Sequence, residues 1–207
     1  SLLYVQMFTR DTEKDAEFLI EKPEAIEKVL LQFYKYGIDI LDQEMDDFNY
    51  SRCNVVLEKL PFEDSSFDSL SAYDFLEHIP RFAVIDNETQ FPFINFMNEC
   101  YRVLKNEGVF FAITPVYPRV EAFVDPTHIN IITKKTHEYF AAPTHHARMY
   151  GFTGNFEINK VKTIRFSQGV KKTNKVNSIL KDIFYSILYT KKSHILWEFK
   201  AIKNDNS

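Results

Sequence analysis

The chain is short of the residues that cross-link and punctuate a fold. Only two cysteines occur in 207 residues, Cys53 and Cys100. That number excludes a disulfide scaffold. Their flanks, Cys53-Asn-Val-Val-Leu57 and Asn98-Glu-Cys-Tyr-Arg-Val-Leu104, read as buried strand and helix positions of a reduced, cytoplasmic protein. Five glycines and eight prolines exclude collagen-like and linker-like chains. No basic-then-apolar leader opens the sequence, and no apolar run approaches the ~18 residues of a membrane span. Neither export nor membrane spanning is therefore expected. Nucleotide-phosphate loops, Ser-His-Asp patterns, Cys-x-x-Cys pairs and nucleic-acid modules are all missing. What the chain has in quantity is aromatic: 20 Phe and 11 Tyr bring that share to 15 %. Its length predicts one domain, at roughly 150 residues per domain, with enough chain to bury a core unaided.

Charge is divided unevenly. Residues 1–100 carry 8 Lys and Arg against 21 Asp and Glu, a net −13. Residues 101–207 carry 17 against 8, a net +9, and together they give the overall −4. Two solvated faces of one domain account for this, with a basic surface for an anionic substrate or partner as the alternative.

Along the chain, Leu2–Phe8 and Phe18–Ile20 read as short strands. Pro23–Tyr36 predicts a helix, with Pro in its first turn, an apolar face of Ile26, Val29, Leu30 and Phe33, and Gly37 as its stop. Gly37–Ile40, Asn54–Leu57, Ser69–Tyr73 and Val109–Thr114 read as strands. Leu60–Asp68 has turn chemistry. Phe91–Leu104 predicts a helix with Ile94, Met97, Tyr101 and Leu104 on one face, and Thr133–Phe140 a further helix. Ile195–Ile202 is the last strand. Strands alternating with helices predict an α/β, Rossmann-like domain over residues 1–207, whose ligands bind beyond the carboxyl ends of the strands. Residues 171–192 read as an inserted helix. Its stripe of Ile179, Leu180, Ile183, Phe184, Ile187 and Leu188 suits a core-facing helix, with a homodimer contact through 176–189 or a membrane-surface helix as alternatives.

Three segments then stand in order. They are Leu60-Pro-Phe-Glu-Asp-Ser-Ser-Phe-Asp68, Tyr73-Asp-Phe-Leu-Glu-His-Ile79, and Glu99-x-x-Arg102-Val-Leu-Lys105-x-x-Gly108. Together they resemble the central half of class I methyltransferases that use S-adenosylmethionine. The later Thr114-Pro-x-Tyr-Pro118, Asp125-Pro-Thr-His-Ile-Asn130 and Ala147-Arg-Met-Tyr-Gly-Phe152 are similar to a bacterial branch associated with surface-glycan or sugar metabolism. The resemblance covers about residues 37–160.

It implies a seven-stranded, mostly parallel sheet with helices on both faces and an antiparallel last strand. It implies S-adenosylmethionine as cofactor and a small polar or anionic acceptor, a sugar or glycan precursor among them. Asp39, ending the second strand, would accept hydrogen bonds from the ribose. The loop from Asn54 through Leu57 and Glu58 would wrap the adenine. Tyr73 and Asp74 would face the methionine half. Glu21, 18 residues before Asp39, would be the first-strand acid. The glycine-rich turn of the family is replaced by Glu21-Lys-Pro-Glu-Ala25, and no glycine precedes Gly37. Proline removes a donor and alanine adds a Cβ where backbone must come close. Three readings follow: a rebuilt turn, a methyltransferase-like binding or scaffold protein without cofactor, or a chain lacking an N-terminal segment.

On the acceptor side, Asp74-x-x-Glu77-His78 has ligand-type residues at helical spacing, and it is similar to an acidic-x-x-Glu-His segment that holds a divalent metal in some quinone-biosynthesis methyltransferases. The alternatives are that metal role and the ordering of its loop; the reading adopted is the second, with His78 as a general base and no metal assigned. His128, in a turn after the fifth strand, is the second candidate base. Tyr117, Asp125 and Arg148 are candidate acceptor contacts, Arg148 through bidentate pairing with an anion. His145 and His146 are adjacent, so their side chains diverge and a shared metal is not expected.

Overall fold

The protein is described by a computed structural model over residues 5–9, 34–39, 49–164 and 192–203. Its elements in chain order are β1 (Val5–Thr9), β2 (Tyr34–Asp39), β3 (Asn49–Arg52), β4 (Phe67–Tyr73), β5 (Ala83–Ile85), β6 (Glu88–Gln90), α1 (Pro92–Val103), β7 (Leu104–Pro115), β8 (Phe156–Ile164) and β9 (His194–Ala201). Seven strands form one sheet in the order β3-β2-β1-β4-β7-β9-β8, and β5 and β6 form a separate hairpin.

The sheet grows outward from two apolar strands. In β7 burial alternates with period two, placing Phe110, Ala112 and Thr114 inward, as a pleated strand requires. It pairs in parallel with β4 and antiparallel with β9. Phe156, Phe199 and Trp197 gather on that same face, Phe156 and Phe199 beside Phe110 and Trp197 stacked on Phe199 at 5.3 Å. Full burial of each such ring contributes about 1.5–3 kcal/mol.

Helix α1 begins on Pro92, where the missing N–H is harmless. It buries Phe93, Phe96, Met97, Cys100 and Val103. Of the expected face, Ile94, Met97 and Leu104 are buried and Tyr101 is half-buried, with Leu104 already belonging to β7. Among the described residues α1 is the one α-helix, so helices on both faces are not seen there.

The segments that carried the resemblance turn out to be a structural clamp. Arg102 donates to Glu99 at 2.9 and 2.7 Å, to Asp64 at 2.7 Å, and to the carbonyls of Phe62 and Leu60 at 2.7 and 2.9 Å. Glu99 in turn accepts the Leu60 N–H at 2.9 Å. Helix α1 thereby holds the Leu60–Asp68 turn in place and sets the entry into β4. Gly108 is needed at the start of the apolar half of β7, because a Cβ there would lie 2.9 Å from the Lys105 carbonyl oxygen.

Several expectations are corrected. The sheet is mixed, because β1 runs antiparallel to both β2 and β4; β9 runs antiparallel to β7 and β8, as expected of the last strand. Val5 lies opposite Ile38 and Ala72, near the carboxyl ends of β2 and β4, whereas Thr9 lies opposite Tyr34. Tyr34–Tyr36 is strand rather than helix, because all three residues pair with β1 and Tyr36 also pairs with β3. Asn54–Leu57 is a turn, closed by Leu57 N–H on the Asn54 carbonyl at 2.9 Å. Thr133–Phe140 yields only a 3₁₀ turn at Thr136–Tyr139. Glu21, the Glu21–Ala25 turn and the 171–192 segment lie outside the described residues. No helix among the described residues is long and apolar enough to cross a membrane.

Candidate functional site

The parallel strands β2, β4 and β7 end on one edge, and the polar side chains gather just beyond β4 and β7. After Tyr73, Asp74 turns the chain with a left-handed φ of 45°. Its N–H donates to the Ile113 carbonyl at 2.9 Å. Its carboxylate lies 3.3 Å from His194 Nε2, brought in from the start of β9. A 3₁₀ turn, Leu76–His78, then buries Glu77.

Glu77 holds three segments together. Its backbone carbonyl accepts the N–H groups of Ile129 and Asn130 at 3.0 and 2.8 Å. Its side-chain Oε2 accepts the Thr114 hydroxyl at 2.8 Å. Its Oε1 lies 3.9 Å from His128 Nε2. Burial, the dominant cause, raises its pKa to about 8, against the lowering effect of the Thr114 hydrogen bond.

His78 and His128 come from loops far apart in sequence and meet edge to face, ring centroids 4.8 Å apart. Thr127 has a single hydroxyl proton, donated to Asp125 at 2.6 Å. Its 3.0 Å bond with His78 Nδ1 therefore has the ring N–H as donor. This leaves the His78 lone pair on Nε2. Burial, with the neighbouring His128, lowers the His78 pKa below that of a free imidazole. A neutral ring near pH 7 can accept a proton or a Lewis acid.

The structure thus brings together His78, His128 and Asp125, with Asp74 at the end of β4. Asp39 closes β2 on the same edge by its backbone position. Asn54 and Glu58 instead engage each other: the Asn54 N–H donates to Glu58 Oε2 at 3.0 Å, and Asn54 Oδ1 accepts the Val56 N–H at 3.1 Å. Leu57 and Tyr73 are exposed, as is Tyr117, whose ring packs on Phe123 at 6.2 Å. Arg148 is exposed on the turn His146–Tyr150, and no hydrogen bond or ion pair joins it to the imidazole pair among the described residues.

Sequence reasoning missed an aromatic cavity of about 420 Å³ next to this cluster, lined by Phe82, Phe91, Phe93, Tyr139 and Tyr150 with Arg81 and Lys135. Arg81 donates to Asn130 Oδ1 at 2.8 Å and to the Ile131 carbonyl. Asn130 is buried and donates to the Leu76 carbonyl at 3.0 Å. One residue therefore separates the cavity wall from Glu77. A buried polar residue at the end of the Asp125–Asn130 segment was the available signal.

Residues 34–112 match the family model described as a methyltransferase domain. No curated protein matches the chain. Among solved structures, a chain of the complex between the Haloferax volcanii Trm112 methyltransferase activator and a candidate methyltransferase is 12 % identical. That likeness covers 81 % of this chain and 72 % of the other, with a TM-score of 0.51. A methyltransferase dependent on S-adenosylmethionine from Archaeoglobus fulgidus is 16 % identical, with 89 % and 81 % covered and a TM-score of 0.46. One from Mesorhizobium loti is 12 % identical, with 80 % and 79 % covered and a TM-score of 0.45. Of these three, the first reaches the level of a shared fold. The matched segment runs from β2 to β7 and stops before the loop bearing His128. Together with that shared fold, it supports a Rossmann-like α/β fold containing a segment similar to a methyltransferase domain.

Proposed function

We propose that the chain is a methyltransferase dependent on S-adenosylmethionine, acting on a small polar acceptor, with sugars and glycan precursors as the class to test first. The observation that carries this reading is the pair His78 and His128, held beyond the end of β4 in a chain whose residues 34–112 match a methyltransferase domain. The cofactor would supply an electrophilic methyl on a sulfonium, which needs little acid assistance. The residues at the edge suit it in kind. Asp39 ends β2, where a carboxylate can accept from ribose hydroxyls. Tyr73 and Asp74 end β4, facing the methionine half. The protein's own task is then to align the acceptor and remove its proton. His78 Nε2 carries the free lone pair for that proton, and Thr127 with Asp125 fixes the ring's tautomer and plane. Glu77 holds the His128 loop against the end of β7. Asp125 and the exposed Tyr117 and Arg148 supply polar contacts for the acceptor.

A second reading is favoured by two observations. The central strand β1 is antiparallel to its neighbours, and no glycine precedes Gly37. A methyltransferase-like binding or scaffold protein without cofactor accounts for both. Calorimetric titration of the chain with S-adenosylmethionine and S-adenosylhomocysteine separates the two. Saturable one-to-one binding supports the enzyme, and flat titrations with both ligands support the scaffold.

A further inference from the structure

Hydrogen bonding leaves one part of the edge incomplete. Glu77 is 2 % exposed, and while Oε2 is bonded to Thr114, Oε1 has no hydrogen-bond partner. The His128 side chain is 10 % exposed; its Nε2 lies 3.9 Å from that oxygen, beyond hydrogen-bond distance, and its other nitrogen, Nδ1, is without a partner. Buried polar atoms in folded proteins are satisfied with few exceptions, and each exception asks for an explanation. His78 has its Nδ1 tied to Thr127, with Nε2 left over. One ligand atom from each of Glu77, His78 and His128 lies within 4.8 Å of the others.

We propose that Glu77, His78 and His128 bind one divalent transition-metal ion, with Zn²⁺ as the type. Two imidazole nitrogens and one carboxylate oxygen suit zinc and its first-row neighbours, whereas calcium and magnesium favour all-oxygen sites. Tetrahedral bonds of about 2.1 Å set neighbouring ligand atoms about 3.4 Å apart. The present spread closes to that distance by an inward movement of about 1 Å. Both histidines lie on short connecting segments rather than within strands, so side-chain rotation supplies it. The environment also has the outer contact that metal-bound histidines use. The second ring nitrogen of His78 donates to a hydroxyl, itself anchored on the Asp125 carboxylate. Asp74 lies outside the group of three, with its carboxylate 3.3 Å from His194 Nε2. Three protein ligands leave a fourth position for water or an acceptor oxygen, the pattern of a reactive rather than a structural site. The ion binds or fails to bind whether or not the chain transfers methyl groups. Where both occur, the rings act as ligands, and the ion takes over the role of making an acceptor hydroxyl acidic.

The test uses the whole chain, stripped with a chelator. It is titrated with ZnCl₂ by calorimetry and with CoCl₂ by visible absorption. One ion per chain and a ligand-field band of low coordination number are expected. Glu77→Gln and His128→Ala should each weaken binding by more than the roughly 10–100-fold typical of outer-contact changes. The exposed His146→Ala should bind as the unmodified protein does. Circular dichroism checks each variant, and His78→Ala, at a partly exposed position, replaces any variant that does not fold. An unmodified chain that takes up no ion overturns the proposal, as does uptake that survives loss of Glu77 and His128. Parallel titration with S-adenosylmethionine keeps the two questions apart: metal uptake without cofactor binding upholds the metal site and removes the methyltransferase.

Discussion

Replacing Arg102 by alanine tests whether the clamp described above organises the domain. The guanidinium donates to two carbonyls and to Glu99, all within 2.9 Å and partly shielded from water. A hydrogen bond involving a charged group contributes about 1.5–3 kcal/mol. Taking the low end for the two carbonyl bonds gives about 3 kcal/mol. The contact with Asp64 is left out, because that carboxylate is mostly exposed and such pairs contribute little. For a domain of this size each kcal/mol moves the melting temperature by about 2–4 °C. Arg102→Ala should therefore lower it by about 6–12 °C. Arg102→Lys keeps the charge but lacks the fork, so it should recover little of the loss. Asp64→Ala should melt like the unmodified chain. Chemical denaturation with urea, followed by far-ultraviolet circular dichroism, gives the free energy directly. A loss below about 1 kcal/mol, within the range of ordinary surface changes, would show that Glu99 and the turn hold themselves without Arg102.

Three further outcomes are expected. Burial, with the carboxylates of Glu58 and Glu99, pushes the Cys53 thiol up to about 11, and burial likewise raises Cys100. Both thiols therefore stay protonated at pH 8, and a colorimetric thiol reagent should react slowly with the folded chain, rapidly after denaturation, and increasingly with the folded form only as pH nears 11. Gly108→Ala should cost about 1–3 kcal/mol through the clash with the Lys105 carbonyl, read by urea denaturation. If the chain binds S-adenosylmethionine, Asp39→Ala should weaken it by about 1–3 kcal/mol in calorimetry by leaving ribose donors unpaired; unchanged affinity removes Asp39 from the site.

The parts of the fold legible in the sequence are those where one local pattern dominates. Apolar alternation marks β7 and β9, and the spacing in Phe91–Leu104 marks α1. Where partners decide, the sequence is mute. Tyr34–Tyr36 continues a helical pattern but is captured by pairing with β1, joined at Tyr36 by β3. The period-two pattern of a short strand is the same read in either direction, so the reversal of β1 leaves no mark in Val5–Thr9. At the site, the loops bearing His78 and His128 can be picked out by residue type. Their meeting cannot, because it depends on the Glu77 carbonyl reaching across to Ile129 and Asn130. The resemblance around Glu99 and Arg102 points to family, yet those residues serve the scaffold.

The three-way attachment at Glu77 also has a consequence for motion. Loops beyond the strand ends of an α/β sheet are ordinarily the first parts to open. Here the amides of Ile129 and Asn130 are bonded to a carbonyl on another segment, and the same residue's carboxyl is fastened to Thr114 at the end of β7. Opening the 125–130 loop means exposing Glu77 and breaking into the sheet edge at once. In deuterium exchange, those two amides should therefore keep time with the strands and not with the exposed loop that surrounds them. The backbone of the edge is built as a rigid wall, and adjustment to a ligand arriving there falls to the side chains.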